Sequence, residues 1–212
     1  MTSPFARRRC LALVTTICLS VAATACTVED AAPPQPAPGE STSAEGSPAA
    51  EPAPEVPVRV RVTRVSGRLT PRDRAVLADN IEKVVTRYFD DAFLGGDYPR
   101  SSFGDAFATF SDGAARTADD DRDLLTNRLL GPGTESIEVR RQSAYLSVLA
   151  PYKVAAGVTA KVQLRYVADL GSEPARLVNV KGRLLLSRKA AGGWKIFGYD
   201  LDRSTRRVGK GS

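Results

Sequence analysis

The chain has 212 residues, 30 of them basic and 24 acidic, for a formal net charge of +6, and it contains no histidine. The commonest general base and metal ligand is therefore missing, and a serine nucleophile of the histidine-activated kind has nothing to take its proton. The only cysteines are Cys10, Cys18 and Cys26, and no Gly-x-Ser-x-Gly elbow occurs.

Arg7-Arg8-Arg9 precede an apolar run from Leu11 to Ala25. A membrane-spanning helix needs about 20 apolar residues. This run is shorter and is interrupted by Thr15, Thr16, Ser20 and Thr24. A basic start, a short apolar middle and small residues before a cut are the parts of an export signal. Ala23-Thr24-Ala25 followed by Cys26 resembles the lipobox of bacterial lipoproteins. That resemblance implies cleavage after residue 25, a diacylglyceryl group on the Cys26 sulfur, and a chain anchored on the outer face of the cell membrane. A plain secretory signal is the alternative.

Residues 27–57 read as a linker, with eight Pro, seven Ala and no Lys or Arg. Its acids are Glu29, Asp30, Glu40, Glu45, Glu51 and Glu55. Such a composition buries too little apolar area to offset the entropy of ordering, so a disordered tether is expected. Three of the 30 bases lie in the leader and six of the 24 acids in the linker, which leaves 27 and 18 over 58–212, a net charge of +9. That excess suits anionic envelope partners or serves solubility alone. Nucleic acid is not expected as a partner outside the cytoplasm.

Val58 to Thr63 alternates as a half-buried strand does. Thr70-Pro71-Arg72-Asp73 carries an N-cap, a proline at the first helical position and an acid at the third. Leu77, Ile81, Val84, Val85, Tyr88, Phe89, Ala92 and Phe93 then form one helical stripe that Gly95-Gly96 ends. Second and third helices are predicted over 101–111, on Phe103, Phe107 and Phe110, and over 117–130, on Leu124, Leu125 and Leu129. Asp119, Asp120 and Asp121 suit a helix start. They lack the glycine and the closing glutamate of a calcium loop, so no metal is expected.

After Gly131-Pro132-Gly133 the period becomes two. Strands are predicted through Ile137–Val148, with a bulge at Arg140-Arg141, through Val154–Tyr166, through Val178–Leu186, and from Trp194 to Leu201. Lys161, Gln163 and Arg165 share the polar face of the second of these. Trp194, the lone tryptophan, is expected in the core. Short turns at 171–174 and 191–193 imply an antiparallel meander. Helices before strands imply an α+β domain over 58–203, with a basic flexible tail over 204–212.

Gly192-Gly193-Trp194-Lys195-Ile196-Phe197-Gly198-Tyr199-Asp200 resembles the last strand of nuclear transport factor 2-like, SnoaL-like domains. Phe107-Ala108-Thr109-Phe110 with 112–115 resembles their second-helix segment. Together with the lipobox, the chain is similar to actinobacterial envelope lipoproteins. The resemblance covers about 70–202 and implies three helices packed on a curved antiparallel sheet, a cone. Ketosteroid isomerases of that superfamily work with an Asp base and Tyr and protonated Asp donors. Tyr88, Tyr98, Asp105, Tyr166, Tyr199 and Asp200 are the candidates to line a cone mouth here.

Because this fold hosts isomerases, dehydratases and pure binding modules, the site must decide between them. The expectation is a lipid-anchored, non-catalytic domain that binds an envelope protein or a small apolar ligand, without a cofactor. The alternative is a SnoaL-like isomerase or dehydratase using an Asp/Tyr pair on a hydrophobic substrate.

Overall fold

A five-stranded mixed sheet in the order β1-β2-β3-β4-β5 organises the computed structural model, which describes residues 56–190 and 192–209. The leader, Cys26 and nearly all of the proposed linker lie outside those residues. The strands are β1 (Arg59–Gly67), β2 (Ser136–Ala150), β3 (Gly157–Leu170), β4 (Glu173–Arg188) and β5 (Trp194–Arg207). The class is α+β, as the order of periodicities predicts.

One pairing differs from the expected meander. β2 to β5 are antiparallel neighbours in chain order, but β1 runs parallel to β2. A parallel neighbour needs a long crossover, and the helical segment between β1 and β2 supplies it. The bulge anticipated at Arg140-Arg141 is present as a register shift between Val139 and Arg141.

The main helix, α1 (Pro71–Phe89), starts as its sequence dictates. Thr70 Oγ1 accepts from the Asp73 amide at 3.1 Å, and Pro71 occupies the first turn. Its stripe of Leu77, Ile81, Val85, Tyr88 and Phe89 is buried, and a π-helical turn, Asp90–Leu94, carries the stripe on to Ala92 and Phe93. Burial of each large side chain contributes about 1.5–3 kcal/mol.

The two further helices expected from the sequence are much shorter. Over 101–111 there is only a 3-10 turn, Gly104–Phe107, before Phe110 bridges to Ile196 of β5. Over 117–130 the chain forms α2 (Asp112–Asp120), capped by Ser111, and a single turn, α3 (Arg122–Leu125). Here the phenylalanines pack as a cluster, with Phe107 and Phe110 rings 5.2 Å apart, and that contact does not require helical continuity.

Two other expectations are corrected. Trp194 is only partly buried, because it begins β5 at the sheet's margin; Ile196, two residues on, is the buried anchor. The basic segment after residue 203 is not a free tail as far as Arg207, since Ser204 to Arg207 pair with Asn179 to Arg176 of β4.

Candidate functional site

Buried aromatic side chains pack against one another between the helices and the sheet. Tyr88 stands at the centre, with ring centroids 5.9 Å from Phe89, 5.8 Å from Phe93 and 5.2 Å from Phe110. Tyr166 closes the group from β3, 6.4 Å from Phe93. Five surface clefts among the described residues are lined without Tyr88, Tyr98, Tyr166 or Tyr199.

Each tyrosine hydroxyl of the candidate set has a defined acceptor. Tyr88 donates to the Leu125 carbonyl at 3.1 Å, and Tyr98 to the Phe93 carbonyl at 2.6 Å. Tyr166 donates to Asn127 Oδ1 at 2.8 Å, and Tyr199 to Asp121 Oδ2 at 2.7 Å. All four hydroxyls are pushed above the ordinary tyrosine range, first by burial. For Tyr199 the bonded carboxylate of Asp121 adds to the effect. These are hydroxyls held protonated, as a donor role requires, but each already gives its hydrogen bond to an acceptor within the chain.

The two candidate aspartates stand apart from this group. Asp105 is exposed in the 3-10 turn. Asp200 lies on the other face of the sheet, where it accepts from Arg183 Nε at 3.1 Å and again from Nη2. The structure brings together Tyr98 and Tyr166, joined through Asn127, and Tyr88 and Tyr199, which both pack on Phe110. It brings no candidate aspartate to either pair.

Two residues of the polar centre escape a sequence reading. Asn127 is fully buried. Its Nδ2 donates to Tyr98 at 3.4 Å, and its Oδ1 accepts from Tyr166 and from Arg203 Nη2 at 3.2 Å. Arg203, which the sequence places at the edge of a basic tail, turns inward. Its Nη1 donates to the Thr126 carbonyl at 2.6 Å and the Asp123 carbonyl at 3.0 Å. The signal for Arg203 was present, because it continues the Tyr199, Leu201 alternation. Asn127 carries none.

Lys195 donates to the Ala108 carbonyl, and partial burial, with Lys189 and Arg87 nearby, lowers its ammonium pKa. Among the described residues no group of three or more Cys, Asp or Glu is placed to hold a metal, and no helix is long and apolar enough to cross a membrane. Comparison with protein-family models, curated proteins and solved structures finds no match to this chain.

Proposed function

We propose that this is a lipid-anchored protein of the cell envelope, held by Cys26 at the end of a Pro/Ala/Glu-rich tether. Its domain is a non-catalytic binding or scaffold module of the nuclear transport factor 2-like kind. The observation that carries the reading is the filled interior: where the resemblance implies a cone mouth, Tyr88, Phe93, Phe110 and Tyr166 pack against one another. An Asp/Tyr enzyme needs a carboxylate and a hydroxyl facing an open pocket. Here Asp105 and Asp200 face solvent, the Tyr88, Tyr98 and Tyr166 hydroxyls are spent on internal acceptors, and Tyr199 is bonded to the exposed Asp121 carboxylate outside the five clefts. Of the two ligand classes expected, a macromolecular partner met at the surface fits better than a small apolar molecule inside.

Crosslinking in native membranes followed by pull-down tests this reading. A discrete envelope partner is the expected return. Saturable binding of a steroid-sized apolar ligand, with no partner recovered, would reverse it.

A further inference from the structure

In one half of the outer face of the sheet, opposite the helices, acids on β5 answer cations on β4. Arg183 is bonded to Asp200, and Lys181 lies 3.7 Å from Asp202, while Lys161 of β3, the register partner of Arg183, has no ion-pair partner among the described residues. In the other half Arg141 on β2 is the direct register partner of Arg165 on β3, and the next residue across is Asn179. Like charges set directly opposite are destabilising. Arg206 on β5 lines the same cleft as both, and none of the three has an ion-pair partner among the described residues.

Three clefts run together here. The central one, about 640 Å³, holds Arg140, Arg141, Arg165 and Arg206 over an apolar floor that includes Val167 and Leu177. A second, about 380 Å³, shares Arg140 and Arg141 with it and extends to Arg59 and Val56 on the β1 side. A third, about 300 Å³, shares Arg165, Leu177 and Arg206 and extends to Asn179 and Ser204. Leu177 and Ala175 are buried yet stand outside the main core, so this floor is a separate feature of the outer face. Val208 is held against it by its amide, which donates to the Ala175 carbonyl at 2.9 Å. The acids on the track are Glu138, 2.8 Å from Arg140, and Asp169, which accepts from the Gly171 amide. Neither neutralises Arg141, Arg165 or Arg206.

We propose that this track binds an extended polyanion, a linear polymer whose repeating units carry phosphate or carboxylate oxyanions. Guanidinium forks match both groups bidentately. A linear chain fills successive clefts, whereas a flat bilayer does not enter them. Single-stranded nucleic acid calls for aromatic stacking platforms, and Tyr145, at one end, is the sole aromatic lining the three clefts. The assignment rests on the binding-module reading and names its partner class; it does not depend on the Cys26 anchor.

The test titrates the full chain, in neutral detergent, with linear polyphosphate and with polyglutamate. Saturable binding to either is expected. Arg165→Gln/Arg206→Gln weakens it about tenfold or more and makes its salt dependence shallower. Arg59→Gln/Arg141→Gln, at the other end of the track, does the same and guards against a folding defect in one variant. Arg72→Gln/Arg74→Gln on α1 removes equal charge and leaves binding unchanged. Equal losses in all three variants reduce the effect to net charge and overturn the site. A preference for anionic over neutral vesicles, without polymer binding, overturns it in favour of membrane docking. Binding to none of these probes overturns the polyanion assignment, while the crosslinking experiment still decides the binding-module reading.

Discussion

The Tyr166 hydroxyl on β3 donates a hydrogen bond to Asn127 Oδ1 at 2.8 Å, and the same oxygen accepts from Arg203 on β5. The Asn127 amide donates to the Ala92 carbonyl, and its own carbonyl takes the Leu130 and Gly131 amides. One buried side chain thus ties the end of the helical layer to two strands. Asn127→Ala is expected to cost about 3 kcal/mol, because it leaves a hydroxyl and part of a guanidinium without an acceptor. Tyr166→Phe costs about 1 kcal/mol, since it removes only one bond. The double variant falls short of the sum. Urea unfolding measures all three, and an additive result would mean the bonds are independent.

Alkaline pH is the second lever. Burial keeps the Tyr88 and Tyr166 hydroxyls protonated in the folded chain well above the ordinary range. In the unfolded chain they titrate at about 10. Raised folded values mean a contribution fully present below that pH and lost as pH rises beyond it. The loss is about 1.4 kcal/mol per pH unit for each tyrosine. Thermal unfolding should be level from about pH 7 to 9 and fall steeply above 10. Tyr88→Phe/Tyr166→Phe should make that fall shallower, leaving the part that Tyr98 and Tyr199 contribute.

What the sequence makes legible follows from what periodicity encodes. Alternation marks each strand's faces, and Thr70-Pro71 marks the start of α1. Direction is not in the period, so the parallel placement of β1 against β2 could not be read. Depth is not there either. Trp194 and Ile196 share a pattern, yet Ile196 is flanked by Leu186 of β4 on one side and by the Phe110 bridge on the other and is fully buried, whereas Trp194 is only partly so. The phenylalanines 103, 107 and 110 imitate a helix by spacing while packing from a 3-10 turn and a bridge. The polar centre was half visible: its tyrosines stand out in composition, but their acceptors are backbone carbonyls and one asparagine.

Gly182 marks a place where the backbone itself sets the residue. It sits in β4 at φ +145°, and a Cβ there would lie 2.1 Å from the Asp200 carbonyl oxygen of β5. Both the dihedral and the contact oppose any side chain, and the obstacle is backbone that cannot swing aside. Gly182→Ala should cost about 2–3 kcal/mol. Gly113→Ala, where nothing lies within 4 Å, should be neutral or slightly stabilising, because alanine favours the helix. Denaturant midpoints for the two variants separate close approach from general intolerance of glycine replacement.

The anchor is tested by Cys26→Ala. The core begins at Val58, more than thirty residues beyond the cysteine, so the substitution should leave unfolding unchanged. It should move the protein from the membrane pellet to the soluble fraction. A variant that stays bound after a salt wash places the anchor elsewhere.

Arg203 and Arg206 separate folding from binding on a single strand. Period two sends them to opposite faces. Arg203 is partly buried and donates to two backbone carbonyls and to Asn127, so Arg203→Ala leaves several acceptors unmatched. It should cost about 2–3 kcal/mol. Arg206 is exposed over the outer cleft with no ion-pair partner among the described residues, so Arg206→Ala should stay within about 0.5 kcal/mol of the parent. Chemical denaturation gives both values. If the two cost the same, β5 does not hold the alternation that turns Arg203 inward, and the inner hydrogen-bond cluster and the outer cationic track lose their common basis.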